Sequence, residues 1–363
     1  MITFVAGTTA EFIKIAPVIR ELRRRGMDFQ VWATDQHVDG VTEVLEDFDL
    51  RVPLAHFVPS TSRRTISRMS QVLPWFFDLA RTLWHFRREF RARAARGVVL
   101  VHGDTFTTVF GAIAGRMLGC RVGHIEAGLR SGSLVSPFPE EINRRLVARL
   151  ATDNFCPTAV EAANLRREGA DKRSQIVVTG ANTVVDALRF ASAPAVARAD
   201  LPRDYALVTL HRFELVQNRV AYTDIVRRVM RLSVQLPVVM MIGQSDRALL
   251  EQYGLMTALE ESPIFTFDKM RYLEFIRVLV GATLVITDSG GLQEECAALG
   301  VPTAVHRTHT ERRDGLGENI VLTGMDVKAL DDFLAHFEDY RRPSQLDTFH
   351  PAAAIAEVLE RGR

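Results

Sequence analysis

Short apolar runs alternate along this chain with longer stretches in which apolar residues recur at helical spacing. The first run, Ile2–Ala6, leads through Gly7 into a predicted helix. The apolar positions of that helix are Phe12, Ile13, Ala16, Ile19 and Leu22. Such alternation is typical of βα units that feed a parallel sheet, so it predicts an α/β fold.

The predicted strands fall into two series. The first series continues with strands at 30–33, 98–102 and 122–125. The second is predicted to begin near Ile176 and to continue with strands at 206–210, 238–242, 264–267, 284–287 and 303–305. Two doubly wound halves fit this pattern better than one, which predicts two Rossmann-like domains facing each other across a cleft that holds the active site.

Glycines at 169 and 180 mark the predicted boundary between the halves. We therefore predict an N-terminal Rossmann-like domain over 1–168 and a C-terminal nucleotide-binding Rossmann-like domain over 169–350. A final helix over 351–363 is predicted to return toward the N-terminal domain. The amphipathic stretch 71–96 carries many aromatic residues and ends in arginines. It is interpreted as a core- or dimer-packing helix, with a membrane-surface helix as the alternative.

Length and charge narrow the class of protein. The 363 residues exceed what one hydrophobic core usually supports, which also favours two domains. Basic and acidic residues nearly balance, 45 against 44, so the protein has no net positive charge that would attract nucleic acid, and a nucleic-acid partner is not expected. No run of about 18 apolar residues occurs, so stable membrane insertion is not expected.

The three cysteines, Cys120, Cys156 and Cys296, lie far apart and form no CxxC pair or disulfide-like framework. Together with a first segment unlike a signal peptide, they predict a cytoplasmic protein with reduced thiols. The histidines at 37, 56 and 102 lack metal-ligand spacing, so no metal site is predicted.

Polar side chains cluster just after the predicted strands of the first half. They are His102 and Asp104 in HGDT, His124 and Glu126 in HIEAGLRSG, and Glu140 and Glu141 in SPFPEEINRR. Ligands of open parallel sheets bind beyond the carboxyl ends of the strands. Grouped carboxylates raise one another's pKa, as a site that removes and returns a proton near neutral pH requires. A single carboxylate at a strand end would instead be read as a helix cap or an ion-pair partner.

The second half offers a candidate phosphate site. His211 and Arg212 follow one strand, and Asp288, Ser289, Gly290 and Gly291 form a tight turn between another strand and a helix. The amides and dipole of such a helix start can hold a phosphate. Glu295, one turn into the helix, is placed to accept from two ribose hydroxyls. No GxGxxG follows the strand at 2–6, and the motifs GxxxxGK[ST], HExxH and GxSxG do not occur. A dinucleotide oxidoreductase, a P-loop NTPase, a zincin and an α/β-hydrolase are therefore not expected.

Taken together, these motifs resemble the non-hydrolysing UDP-N-acetylglucosamine 2-epimerases. The similar segments are GTTAEFIKIAPVIREL, HGDT, HIEAGLRSG, PFPEEINRR, VTG at 178–180, VTLHR, TDSGGLQEE and TER at 310–312. The resemblance implies a glycosyltransferase-B-like fold, a UDP-sugar substrate, no cofactor and a homodimer formed through first-domain helices. It also implies removal of the C2 proton, expulsion of UDP to leave a 2-acetamidoglucal, and re-addition of UDP after protonation on the other face.

The resemblance assigns roles to residues of this chain. Asp104, Glu126 and Glu140 match the family's catalytic carboxylates, and His211 matches the histidine that assists the leaving diphosphate. Ser289, Gly290 and Gly291 match the diphosphate cradle, Glu295 the ribose contact, and Lys14 and Arg144 further polar positions of the cleft.

Several motifs depart from the family pattern. GTTAE stands where GTRPE is usual, so Thr9 occupies an arginine position, and HRFEL stands where HRREN is usual. DQH at 35–37 replaces GQH, and GQS at 243–245 replaces a histidine-proline-asparagine stretch. Loss of a phosphate-binding arginine weakens diphosphate binding unless another arginine replaces it, for which Arg212, Arg307 and Arg312 are the candidates.

Three alternatives to an epimerase remain open on the sequence. A hydrolysing 2-epimerase would release N-acetylmannosamine and UDP. A glycosyltransferase of the same fold would use the arginine-rich segment near Trp84 to dock an acceptor or membrane. A non-catalytic sugar-nucleotide sensor would have no need of the clustered acids at 104, 126 and 140.

Overall fold

The computed structural model describes residues 1–37, 40–58, 65–66, 69–94, 97–133, 138–192, 201–310 and 312–362. The chain divides into two compact units, and the boundary lies within one helix. Unit 1 contains Met1–Ala187 and Phe349–Arg363, and unit 2 contains Leu188–Thr348. Each unit is built on one parallel sheet.

The sheet of unit 1 has seven strands within the described residues. They are β1 (Ile2–Ala6), β2 (Phe29–Ala33), β3 (Leu54–His56), β4 (Val98–His102), β5 (Arg121–Ile125), β6 (Asp153–Cys156) and β7 (Gln175–Val178). Their spatial order is β3-β2-β1-β4-β5-β6-β7, and every pairing is parallel. The order in which successive strands are added to the sheet therefore reverses at β1. The crevice between the carboxyl ends of β1 and β4 is the topological switch point.

The sheet of unit 2 repeats this plan with six strands in the described part of the chain. They are β8 (Ala206–Thr209), β9 (Val238–Met241), β10 (Ile264–Phe267), β11 (Leu284–Thr287), β12 (Thr303–Val305) and β13 (Ile320–Leu322). The order β10-β9-β8-β11-β12-β13 is again parallel and places the switch point between β8 and β11. The predicted pair of Rossmann-like folds is confirmed.

Helices connect the strands in both units. Those of unit 1 are α1 (Thr9–Arg24), α2 (Val41–Asp47), α3 (Val72–His85), α4 (Arg87–Ala94), α5 (Phe106–Met117), α6 (Glu140–Leu150) and α7 (Ala159–Arg167). Helix α8 (Val184–Ser192) spans the boundary between the units. Unit 2 contains α9 (Phe213–Val216), α10 (Arg219–Leu232), α11 (Gln244–Gln252), α12 (Met256–Glu260), α13 (Tyr272–Val280), α14 (Gly290–Leu299) and α15 (Val327–Ala335). Short 3-10 turns occur at Met69–Gln71, Ala170–Lys172 and Phe337–Tyr340.

The last helix, α16 (Pro351–Arg361), belongs to unit 1 and packs against α1. Arg25 Nη1 contacts Glu360 Oε2 at 3.0 Å, and Asp186 accepts the Ala352 amide at 2.7 Å. No helix within the described ranges is long and apolar enough to cross a membrane.

Strand β7 differs from the prediction, which placed it in the second series. It pairs with β6 and so completes the first sheet beyond the predicted boundary at residue 168. Gly169, at φ 69°, ends α7 in the left-handed conformation that glycine adopts without strain, and a single 3-10 turn then leads into β7. The glycine is therefore part of an ordinary helix-to-strand connection within one unit.

The amphipathic stretch at 71–96 forms α3 and α4, with residues 95 and 96 lying outside the described residues. Trp75, Leu79 and Leu83 are buried in the core of unit 1. In contrast, Leu73, Phe77 and Trp84 expose 80%, 69% and 64% of their surface, so α3 also has an uncovered apolar face.

Candidate functional site

The switch point of unit 1 is held together by Glu11, in the first turn of α1. Thr8 and Glu11 form a capping box, and the Glu11 carboxylate accepts from the amides of Gly7 and Thr8 at 2.9 and 2.8 Å. It also accepts from Thr105 Oγ1, the cap of α5, at 2.7 Å. Burial raises the pKa of Glu11, although these hydrogen bonds act in the opposite direction. One carboxylate thereby ties together the loops that follow β1 and β4.

Asp104 lies immediately before Thr105 and pairs with Arg144 of α6. Arg144 Nε and Nη2 contact Asp104 Oδ2 at 2.8 and 2.6 Å, and Asn143 donates to the Asp104 carbonyl at 2.8 Å. Burial lowers the pKa of Arg144, but the charges of Asp104, Glu126 and Glu141 outweigh burial, and the pKa is raised overall. Arg144 is thus a permanently charged guanidinium among carboxylates.

Glu126 follows β5 with a backbone φ of 66°, a left-handed conformation that is uncommon for a residue with a side chain. Its Oε2 lies 2.6 Å from Lys14 Nζ, 2.6 Å from Asn182 Nδ2 and 3.1 Å from His102 Nε2. Glu126 is 7% exposed. An unusual backbone conformation that aims a carboxylate at an ammonium, an amide and an imidazole is a feature of functional sites.

Glu140 is the first residue of α6, one turn before Arg144 and therefore on the same side of that helix. Its Oε2 is buried and has no hydrogen-bond partner among the residues that the structure describes. The neighbouring Glu141 is fully buried and binds the Ser131 amide at 3.1 Å and Arg145 at 2.8 Å. Of the two adjacent acids, Glu141 is held by several hydrogen bonds, whereas Glu140 Oε2 makes none within the described residues.

His124, which the sequence placed at the tip of β5, is buried inside unit 1. Its Nε2 bonds to the Gly103 carbonyl at 2.7 Å, and burial lowers its pKa to about 4. The ring is therefore neutral near pH 7 and supports the turn that precedes Asp104.

The switch point of unit 2 is organised by Asp288, which is fully buried after β11. Its carboxylate accepts from the backbone amides of His211 and Arg212, with shortest distances of 2.9 and 2.8 Å. Burial raises the pKa of Asp288, and the two amides act against that effect. The imidazole of His211 is left 53% exposed, and Phe213, at the position of a usual family arginine, is 69% exposed.

The predicted phosphate turn directly follows Asp288. Ser289 caps α14, with its Oγ accepting from the Leu292 amide at 3.4 Å, and Gly290 and Gly291 form the first turn. Apart from its chain neighbours and the backbone of its own helix, a Cβ built on Gly291 has only Ser289 Oγ within 4 Å in the described residues, at 3.9 Å. The turn therefore presents the start of a ten-residue helix with open space beside it.

Glu295 lies in α14 and accepts from Tyr272 Oη of α13 at 3.1 Å. Burial, followed by the neighbouring Glu295 charge, raises the pKa of Tyr272 well above its usual value, so the phenol is a donor. Arg307 follows β12 and is 5% exposed, and Arg312 Nη1 binds Glu294 at 2.7 Å. Of the candidate replacement arginines, only Arg212 presents an exposed side chain.

The site includes residues that the sequence did not single out, foremost Asn182 and Glu11. The T-x-x-E pattern at 8–11 signals the capping box, but the further contact with Thr105 depends on the adjacency of β1 and β4. Asn182 follows β7 and reaches Glu126 because β7 belongs to the first sheet.

Comparison with known proteins agrees with this architecture. The family model described as UDP-N-acetylglucosamine 2-epimerase matches residues 20–346. A UDP-N-acetylglucosamine 2-epimerase of Yersinia pestis is 33% identical over 351 residues, covering 90% of this chain and 88% of that protein.

Two solved structures extend the likeness to the fold. The UDP-GlcNAc 2-epimerase of Methanocaldococcus jannaschii gives a TM-score of 0.81 at 28% identity, covering 99% of both chains. That of Neisseria meningitidis, bound to UDP-GlcNAc, gives 0.79 at 26% identity, covering 99% of this chain and 98% of that one. With a matching family model and both parallel sheets, the chain belongs to the UDP-N-acetylglucosamine 2-epimerase family, whose fold is glycosyltransferase-B-like.

Proposed function

We propose that this protein is a 2-epimerase of UDP-N-acetylglucosamine or a closely related nucleotide sugar. The observation that carries the proposal is the arrangement of Asp104, Glu126 and Glu140 at the carboxyl edge of the first sheet. Asp104 and Glu126 pair with cations there, whereas Glu140 Oε2 is buried without a hydrogen-bond partner in the part of the chain that the structure describes. Proton removal and return at one carbon needs a base and an acid of this kind.

The contacts favour distinct roles for the acids. Glu126 beside Lys14 at 2.6 Å is ionised and acts as the base that takes the C2 proton. Glu140, with a buried oxygen that has no partner within the described part of the chain, is the candidate acid that returns a proton to the opposite face. Asp104 fixes Arg144 beside the developing negative charge.

Unit 2 supplies the groups that bind and stabilise the leaving UDP. Loss of the C2 proton and cleavage of the bond between C1 and the diphosphate oxygen leave a 2-acetamidoglucal and UDP. The turn of Ser289, Gly290 and Gly291 accepts the diphosphate, His211 and Arg212 offset its charge, and Glu295 receives the ribose hydroxyls. Re-addition of UDP after protonation restores the nucleotide sugar, so no cofactor is consumed.

The test is incorporation of solvent deuterium at C2 during turnover of UDP-N-acetylglucosamine in D2O. An epimerase exchanges this hydrogen, a glycosyltransferase does not, and a hydrolysing enzyme releases free labelled sugar. Retention of the original hydrogen in product made by active enzyme would overturn the proposal.

We also infer that the protein is a homodimer. Helix α5 packs against both α3 and α6, and all three helices carry exposed apolar residues at helical spacing. These exposed residues, which we call the apolar face, are Leu73, Phe77, Trp84, Ile113, Met117, Ile142 and Leu146. A second copy of this chain is the partner that the family implies. The three cysteines are buried thiols that form no disulfide among the described residues, which supports the cytoplasm as the site of action.

Light scattering is expected to give a dimer at micromolar concentration, and the double variant Phe77→Glu/Trp84→Glu is expected to be monomeric because charges cannot be desolvated in an apolar interface. Val234→Glu, which changes a residue that is 79% exposed in unit 2, is the matched control and should remain dimeric. A monomeric wild-type protein would contradict the inference.

A further inference from the structure

Asn182 lies in the loop between β7 and α8 and is 6% exposed. Its Nδ2 donates to Glu126 Oε2 at 2.6 Å in a buried hydrogen bond. We propose that Asn182 is a positioning residue for the Glu126 carboxylate, an assignment that rests on the proposed function.

The other polar atom of the Asn182 side chain fixes its orientation. Oδ1 accepts from the Val184 amide and from Thr183 Oγ1, both at 3.3 Å, where α8 begins. Because a helix amide needs an acceptor, the oxygen must face the helix and the NH₂ group must face Glu126. Asn and Asp have the same shape and can both cap α8, but only Asn can also donate a hydrogen bond to the Glu126 carboxylate.

The neutrality of this donor matters because the other groups around Glu126 are titratable or charged. Lys14 of α1 and His102 at the end of β4 contact the same oxygen, and Arg144 of α6 interacts with Glu126 through its charge. The Glu126 charge also acts to raise the pKa of His124 of β5, although burial keeps that pKa at about 4. A neutral amide stabilises and orients the ionised form without adding another positive charge, which would make the carboxylate a weaker base.

The position of Asn182 in the chain adds a further link. Helix α8 contains the boundary between the units, after Ala187. A single side chain therefore joins the catalytic carboxylate to the first turn of the helix through which the chain passes from unit 1 to unit 2.

The test is the pH profile of kcat/KM for Asn182→Asp. The new carboxylate keeps the cap but repels the ionised Glu126, so the acid limb is expected to move upward by about one pH unit or more. At a pH below the acid limb, kcat/KM of the variant is then about tenfold lower than that of the wild type for each pH unit by which the limb has moved. UDP affinity should stay close to that of the wild type, because the diphosphate turn lies in unit 2. The thermal midpoint should fall, because the two buried carboxylates repel each other in the folded state.

Asn218→Asp is the matched control. Asn218 caps α10 by accepting from the Ala221 amide at 3.1 Å, and it is exposed in unit 2. Its acid limb should coincide with that of the wild type.

A second variant covers the case in which Asn182→Asp does not fold. Asn182→Ala removes the donor without adding charge, so a smaller upward shift is expected. A folded variant of either kind with an unshifted acid limb would overturn the assignment. Failure of the proposed function itself would appear separately, as a wild-type enzyme that does not exchange the C2 hydrogen.

Discussion

Glu126→Gln is expected to reduce deuterium uptake at C2 by roughly 10²- to 10⁴-fold, the usual loss when a general base is removed. Glutamine keeps the size of the side chain but cannot accept a proton at neutral pH. Mass spectrometry of the nucleotide sugar after turnover in D2O measures the loss. Calorimetric affinity for UDP should change far less, because the diphosphate turn lies in unit 2.

Glu21→Gln is the matched control for this prediction. Glu21 is a carboxylate of α1, the helix that carries Lys14, and it pairs with Arg24 and Arg25 at 2.8 and 2.7 Å. Deuterium uptake by this variant should equal that of the wild type. Equal deuterium uptake by Glu126→Gln and Glu21→Gln would show that Glu126 is not the base that takes the C2 proton.

Asp288→Ala is expected to lower the free energy of unfolding of unit 2 by about 2 kcal/mol and to weaken UDP binding. The change leaves the amides of His211 and Arg212 without their acceptor, and each unsatisfied buried group costs about 1–3 kcal/mol. Removal of a carboxylate that burial disfavours offsets part of this cost. Asp288→Asn keeps one acceptor oxygen and should lie between the wild type and Asp288→Ala.

Asp326→Ala separates this effect from ordinary loss of a helix cap. Asp326 caps α15 by accepting from the Lys328 amide at 2.8 Å, in an exposed setting. We expect a smaller loss of stability and unchanged UDP affinity, measured by denaturant unfolding and calorimetry. If Asp288→Ala matched Asp326→Ala in both measurements, Asp288 would not organise the nucleotide loop.

Much of the sheet framework could be predicted because the central strands of each sheet, such as β1, β4, β8 and β11, are buried along their whole length and appear as apolar runs. The predicted strands 2–6, 98–102 and 264–267 have the observed bounds. Three of the observed strands were not predicted from this pattern. Strands β3 and β13 have only three residues each, and β6 begins with Asp153 and Asn154. Those two polar side chains are buried because they bond to Arg121 and Ser174.

The site was partly predictable for a related reason. Residues after strands share one edge of a parallel sheet, so the sequence could group Asp104 and Glu126 without knowledge of their contacts. Their partners were harder to foresee. The contact between Asn182 and Glu126 depends on the pairing of β7 with β6, whereas the glycines at 169 and 180 predict a domain boundary in this segment.

Hydrogen exchange at C2 during turnover of UDP-N-acetylglucosamine in D2O tests the central claim most directly. The product and the recovered substrate, separated and read by NMR and mass spectrometry, should both carry deuterium at C2, because Glu126 and Glu140 exchange protons with solvent. A product formed at full rate with its original C2 hydrogen would contradict the claim.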